Sequence, residues 1–552
     1  MRYCVLFVVL LGLAGCQSSP PAAGLPVHLQ LLAFNDFHGN VEPPLTPTRL
    51  PADAVGAPEL QLPTGGAAWL SGLVHALRKE NPATVVVAAG DLIGASPLLT
   101  ALLKQEPAIE ALNQVGLQYS SVGNHEFDRG VAELQRMASL AKFRYLAANV
   151  IVRSTGATLF PAWARAHVRV AGGQFVDVAF VGAVLHDTPS IVSGNAVAPL
   201  EFRDEAESIN AAVREIRAAG IETIIVLIHE GGFVSTARFD EPGCPEFRGA
   251  ILSIVERLDP AVDVVISGHT HRTYICQHAG RLVTSAGNEG RFLTAIDLSI
   301  DPSTKDVVQS AARQLPVIND TRPNPLSAQY PQSPPDRTLG ERIARWHASV
   351  ATLSERRVGH LEGELTRRPN AAGETSLGQL VADAQLEATA APDHGAAQIA
   401  FVNNGGLRAD LVPKDGGVTH ADVFAVHPFG NVLVTVSLTG RQIDQLLETQ
   451  WTHAGSLLQV SNGFSYRWSA SAMPGERVAM GDIRLHGVPL QPDAVYRVTL
   501  NDFLVNGGDG YTVLQDSTER LTGDIDVDML ERYLVAHVVR STPAGGRIER
   551  VP

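Results

Sequence analysis

Five short clusters of histidine, aspartate and asparagine stand out in the first half of this 552-residue chain. They are Asn35-Asp36-Phe37-His38-Gly39, Gly90-Asp91, Gly123-Asn124-His125-Glu126-Phe127-Asp128, His229-Glu230-Gly231-Gly232 and Gly268-His269-Thr270-His271. One such cluster alone means little: a histidine after an apolar run is usually structural, and Gly-Asp is a common turn dipeptide. Together they collect carboxylate, amide oxygen and imidazole nitrogen, the donors that suit Zn, Mn, Fe or Ni. Only four cysteines are present and no two are spaced as CxxC, which excludes a cysteine zinc cage. Two divalent ions need about eight ligand positions, and a shared aspartate can bridge them. Held roughly 3.5–4 Å apart, such ions clamp a phosphoryl group and generate hydroxide. A histidine oriented by a carboxylate adds a good acid at neutral pH. His125 and Asp128, three residues apart, are neighbours if their segment is helical.

Most of these clusters directly follow apolar, β-branched runs. Val27–Phe34, Thr84–Ala89, Val176–Val181, Thr223–Ile228 and Val262–Ile266 read as buried strands. Amphipathic stretches between them, Ala67–Lys79, Thr100–Val115, Val131–Ala141 and Glu205–Ala219, read as helices. Alternating strands and helices imply an α/β core, and open α/β sheets place their sites at strand ends. The stretch Asn319–Asp336, rich in Pro, Ser, Asn and Gln, is the clearest linker, and a helix is expected over Thr338–Ser354. A second α/β unit follows, with strands near Ala397–Val402, Val432–Leu438 and Tyr496–Leu500.

In order and composition the five clusters resemble the calcineurin-like metallophosphoesterases. The run from Gly90-Asp91-Leu92-Ile93-Gly94-Ala95-Ser96-Pro97 to Gly123-Asn124-His125-Glu126-Phe127-Asp128 is more narrowly similar to bacterial 5'-nucleotidases and their 2',3'-cyclic phosphodiesterase relatives. That resemblance implies an N-terminal metallophosphoesterase β-sandwich flanked by helices, joined by a linker helix to a second α/β, substrate-binding domain. It implies two divalent ions, Zn, Mn or similar. Asp36, His38 and His271 would hold one; Asn124, His229 and His269 would hold the other; Asp91 would bridge them. His125 would not bind metal but would stabilise the transition state or protonate the leaving oxygen, with Asp128 orienting its ring. Glu126 and Glu230 are read as supporting carboxylates outside the ligand set.

In the second unit, Asn403-Asn404-Gly405-Gly406-Leu407-Arg408 follows an apolar strand and could form a nest with Arg408 aimed at phosphate. Phe429 and Phe503 sit in polar, glycine-rich loops of a chain with only 6% aromatic residues. The same resemblance makes these rings a sandwich for a nucleobase, a contact that tolerates any base. Asp509 would then bond the ribose hydroxyls, and Asn403 and Gly406 would line the pocket. Arg408 would grip phosphate together with Arg367 or Arg368, between which spacing does not decide. Ser376 stands where the family usually has asparagine. With half-sites on two units, turnover requires the units to close on each other.

The bounds read from the sequence are a leader over 1–16, a tether over 17–26, a catalytic domain over 27–317, a linker and helix over 318–355, and a nucleotide-binding domain over 356–552. Arg2, the apolar run Val5–Leu13 and Ala14-Gly15 before Cys16 form a signal sequence. Leu13-Ala14-Gly15-Cys16 looks like a bacterial lipobox, which makes Cys16 the lipid-bearing residue of a cell-envelope lipoprotein. With Gln17 next, the protein faces the periplasm or sits in the outer membrane. Cys244 and Cys276 then remain in an oxidising compartment, where they can pair as a disulfide. A net charge of -14 argues against a nucleic-acid polymer as partner, and nothing signals an obligate protein partner. The expected activity is 5'-nucleotidase hydrolysis. The alternatives are 2',3'-cyclic phosphodiesterase or UDP-sugar and dinucleotide pyrophosphatase action, then a sulfur-oxidation-type thiosulfohydrolase, then a non-catalytic binding protein.

Overall fold

The structure, a computed structural model, describes residues 26–44, 47–50, 60–192, 194–235, 238–239, 243–320, 327–451, 457–540 and 545–552. Cys16, the leader and nearly all of the tether lie outside the described residues.

Two six-stranded mixed sheets face each other in the first unit. One runs Val307–Pro316, Phe292–Ile300, Val27–Phe34, Thr84–Ala89, Tyr119–Ser121, Arg144–Leu146. The other runs Thr273–His278, Arg281–Ala286, Val264–Ser267, Thr223–His229, Phe175–Val184, Trp163–Arg169. The central strands Thr84–Ala89, Thr223–His229 and Val264–Ser267 are buried at every residue, which explains why their sequences are largely apolar. Leu31, Ala33, Val85 and Val87 meet Phe180, Ile225, Leu227 and Ile266 between the sheets. Leu32, Phe34, Val86 and Ala88 point the other way, under the helices Ala67–Glu80 and Glu106–Val115. Val181, Val226 and Val265 do the same under Glu205–Ala218 and Ala250–Arg257. The fold is thus a sandwich of two sheets with helices outside each.

The helix expected over Thr100–Val115 is two helices, Leu98–Leu102 and Glu106–Val115. Pro107 causes the break, because it has no N–H for the Leu103 carbonyl and its ring clashes there. Lys104 and Gln105 take left-handed φ values of 56° and 65° to turn the chain. The strand expected over Val262–Ile266 begins at Val264, since Val262 N–H closes a turn onto the Asp259 carbonyl.

Arg281 illustrates how the second sheet is secured. The side chain is only 7% exposed and donates to the carbonyls of Val255, Leu258, Asp259, Val262 and Ala279 at 2.9–3.2 Å. One of these carbonyls, that of Val255, belongs to the last turn of the helix Ala250–Arg257, and Leu258, Asp259 and Val262 lie in the segment that follows it. Arg281→Met would strip a donor from all five carbonyls, of which those of Val255 and Asp259 keep the N–H groups of Leu258 and Val262. The expected loss is about 3 kcal/mol or more, read as a lower urea midpoint.

The linker helix spans Arg337–Ser354. Its N-cap, Asp336, accepts from Leu339 N–H and from Ser71 and Gln114, while Leu339 and Ile343 are buried in the first unit's core. The helix thus begins bolted to the first unit. Beyond it, the mixed sheet Gln459–Val460, Ile399–Val402, Val495–Asn501, Val432–Thr439, Thr518–Ile525 forms the second unit's main layer, with its own apolar clusters.

Candidate active site

All five clusters lie at the C-terminal ends of strands, where the chain leaves regular pairing. Asp36, His38, Asp91, His269 and His271 all adopt left-handed φ values between 48° and 71°. Such conformations cost on the order of 1–3 kcal/mol each and cluster where function demands them. Close approach explains the glycines here. A Cβ on Gly123 would stand 2.1 Å from Asp91 Oδ1.

The structure brings the seven expected ligands together. Asp36 Oδ1 lies 3.2 Å from His271 Nε2 and 3.8 Å from His38 Nε2, and the two imidazole nitrogens are 3.1 Å apart. Asp91 Oδ2 lies 3.7 Å from His38 Nε2 and 3.0 Å from His229 Nε2. Asn124 Oδ1 lies 3.2 Å from His229 Nε2 and 3.1 Å from His269 Nδ1. Partners elsewhere decide which atom each residue offers. His229 Nδ1 pairs with the Ala89 carbonyl at 2.8 Å and His38 Nδ1 with the Gly94 carbonyl at 3.0 Å, so both rings present Nε2 to the cluster. Asp91 Oδ1 accepts the His125 N–H at 2.9 Å, which leaves Oδ2 free between the two histidines. Asp36 Oδ2 accepts Asn35 Nδ2 at 2.6 Å and the His269 N–H at 3.0 Å, which leaves Oδ1 turned toward the imidazoles.

This donor set passes a physical test for cations. Buried acceptors converge at hydrogen-bond distance with few hydrogens to share, a costly arrangement unless positive charge stands among them. Titration points the same way. Burial opposes charge on His229, but Asp91 and Asp36 outweigh it and push its pKa up to about 10. Burial pushes His38 down to about 3 and His269 to about 4. The carboxylates demand more positive charge than the imidazoles readily carry. Two groups form around Asp91: Asp36, His38 and His271 on one side, His229 and His269 on the other, with Asn124 beside the latter.

His125 stands apart by its partner. Its Nδ1 lies 2.8 Å from Asp128 Oδ2 across a short 3-10 turn, His125–Phe127. Its other edge faces His38 and Asp91. Burial would lower its pKa, but Asp128 and Asp91 hold it up at about 9, favouring the protonated ring. Glu230 accepts the Gly231 N–H and lines a cavity of about 430 Å³ with His186, Glu205 and Arg257.

From the second unit, Phe429 stacks on His125 with ring centroids 5.8 Å apart and planes at 11°. The Arg408 guanidinium lies 5.6 Å from the same phenylalanine ring centre. Arg367 bonds the Leu407 carbonyl and Asp410, so its charge reaches Arg408; both Arg367 and Arg368 are exposed. Asn403 Nδ2 donates to Asp509 Oδ2 at 2.9 Å, and Asn501 Nδ2 donates to Asn403 Oδ1 at 3.1 Å. A Cβ on Gly406 would meet Asn403 Oδ1 at 2.8 Å. Phe503 packs partly against the second unit's core, with its ring on Gly508 beside Asp509. Cys244 and Cys276 are joined, Cα atoms 5.6 Å apart, tying the excursion after His229 to the strand after His271.

Sequence reasoning missed Asn35 and Asn288. Asn35 also bonds the Gly287 carbonyl and the Ala286 N–H, and Asn288 Nδ2 lies 3.3 Å from His271 Nδ1. Asn35 had a signal, its place inside the first cluster. Asn288 lies in an ordinary-looking turn and had none.

Residues 29–273 match the model of the calcineurin-like phosphoesterase family, and residues 357–516 match the 5'-nucleotidase C-terminal domain. Endonuclease YhcR of Bacillus subtilis is 26% identical over 89% of this chain, which spans 38% of that protein's length. A mouse 5'-nucleotidase is 26% identical over 98% of this chain and 93% of its own. The crystal structure of a 5'-nucleotidase precursor from Thermus thermophilus superposes with a TM-score of 0.73 at 27% identity, covering 95% of this chain and 99% of that one. With both halves matched and the ligand cluster in place, the chain belongs to the calcineurin-like phosphoesterases that carry a 5'-nucleotidase C-terminal domain.

Proposed function

We propose that this protein hydrolyses nucleotide phosphate esters outside the cytoplasm, with two divalent ions. The observation that carries the nucleotide reading is the placement of Phe429 and Arg408, from the second unit, against His125 of the first. Residues 27–317 would be the catalytic domain, 318–355 the linker and 356–552 the nucleotide-binding domain.

In this reading Asp36, His38, Asp91 and His271 hold one ion and Asp91, Asn124, His229 and His269 the other. Bound ions supply positive charge for the phosphoryl oxygens and acidify a water. The chain's own residues do the rest. Arg408, supported by Arg367 rather than Arg368, grips phosphate. His125 delivers a proton to the leaving oxygen from Nε2, because Nδ1 is committed to Asp128. Phe429 and Phe503 hold the base, and Asp509, oriented by Asn403, takes the ribose hydroxyls.

The test compares AMP with a small alkyl phosphate that has no ring. Base stacking contributes roughly 1–3 kcal/mol, so Phe429→Ala is expected to lower kcat/KM for AMP roughly 5- to 150-fold. The alkyl phosphate should be nearly unaffected. Equal losses on both substrates would remove Phe429 from the base site. Within the class, 5'-nucleotide hydrolysis comes first, with 2',3'-cyclic phosphodiesterase and UDP-sugar or dinucleotide pyrophosphatase action sharing the same ions. The lipid anchor at Cys16 rests on the run Leu13-Ala14-Gly15-Cys16. Cys16→Ser should shift the protein from membranes to the soluble fraction, and an unchanged membrane share would sink that part.

A further inference from the structure

Glu126 has no role in the ligand set or the acid pair, yet it is 2% exposed and lies between them in the chain. A buried carboxylate is costly unless its oxygens are bonded. Here all four bonds it accepts come from backbone N–H groups. Oε2 takes Asp91 N–H at 2.9 Å and Gly123 N–H at 2.5 Å; Oε1 takes Leu92 N–H at 2.8 Å and Ile93 N–H at 3.4 Å. These donors belong to two loops. One leaves the strand Thr84–Ala89 and carries Asp91; the other leaves Tyr119–Ser121 and carries Asn124.

The bonds close a reciprocal ring. Asp91 gives its N–H to Glu126, and the His125 N–H is given to Asp91 Oδ1. Two consequences follow from geometry. Asp91 is held in its left-handed conformation, φ 51°, by a bond to its own N–H. Its Oδ1 is also occupied, so a single oxygen, Oδ2, faces both histidine groups.

We propose that Glu126 is a positioning residue that locks the Asp91 and Asn124 loops together and thereby sets the affinity of both metal sites. The inference rests on the two-ion reading above. Residues of this kind typically change metal affinity roughly 10- to 100-fold when replaced. Glutamine keeps the shape but turns an NH₂ group toward backbone N–H donors, so one arm of the clamp becomes repulsive.

The experiment measures Mn²⁺ binding to the metal-stripped full chain by calorimetry, for wild type and Glu126→Gln, alongside the thermal midpoint of each metal-free protein. The expected result is two ions bound by wild type and roughly 10- to 100-fold weaker binding by the variant. The metal-free midpoint of the variant should fall by several degrees, because the lost clamp bonds are buried, while the protein stays folded at the assay temperature. Saturating Mn²⁺ should restore turnover toward wild type. Wild-type affinity in the variant would overturn the proposal. If the glutamine variant does not fold, Glu126→Asp provides the reading. It keeps the charge but shortens the reach by one methylene, so it too should bind Mn²⁺ more weakly, and wild-type affinity there would overturn the proposal. If wild type itself binds no pair of ions, the two-ion reading fails instead, which separates the two failures.

Discussion

His125→Ala is expected to lower kcat for AMP by about 10²- to 10⁴-fold, the usual span for a positioned general acid. The reason is local. Nδ1 is held by Asp128 at 2.8 Å, so the free edge of the ring is the one that faces His38 and Asp91. A proton delivered there matters most when the leaving oxygen is a strong base, as a ribose 5'-oxygen is. The same substitution should cost much less on p-nitrophenyl phosphate, whose leaving group departs without a proton. Metal content should stay at the wild-type level, since the proposed ligand set does not include His125, although His125 lies close to His38 and Asp91. A uniform loss on both substrates would mean that His125 supports the site rather than acting as acid. Asp128→Asn should follow the same pattern with a smaller loss, because the ring remains but its orientation and charge are no longer held.

Stripping the metals is expected to abolish turnover and to destabilise the first unit. The site holds Asp36 and Asp91, both 1% exposed or less, with imidazole nitrogens presented to them. Ions that bind only the folded state add about 4 kcal/mol per site at a thousand times Kd. Chelation should therefore lower the thermal midpoint of the first unit, and Mn or Zn should restore it with the activity. The left-handed backbone at Asp36, His38, Asp91, His269 and His271 places further strain at the same site. A chelated protein with an unchanged midpoint and full activity would contradict the assignment.

What could be read in the sequence follows from burial. The strands Val27–Phe34 and Thr84–Ala89 begin and end as expected, because both of their faces are covered from Leu29 and from Thr84 onward and most of their residues are apolar. The hairpin Phe292–Ile300 with Val307–Pro316 left no such signal. Its outer strand is exposed or half-buried over its first seven residues and mixes polar with apolar types without alternation, so only its partner fixes its position. The break before Glu106 was marked by Pro107, and periodicity alone runs over it. For the site, the residues that converge were legible because carboxylates, an amide and imidazoles recur directly after apolar strands. The choice between Arg367 and Arg368 was not legible, since adjacent residues differ only in what the fold puts beside them. Asn288 is similar: a turn residue acquires meaning only when His271 is folded against it. Phe503 was read as a ring in a polar loop, yet it also packs on the second unit's core, so it would serve both roles.

The most direct test is phosphate release by the mature protein, stripped of metal and resupplied with Mn or Zn. The substrates are AMP, UDP-glucose and 2',3'-cyclic AMP, with a coupled phosphatase to reveal products of the last two. The account predicts metal-dependent turnover of at least one of them, lost in His125→Ala. Two bound ions with no turnover of any of the three would contradict it, and would return Phe429 and Phe503 to the role of packing residues.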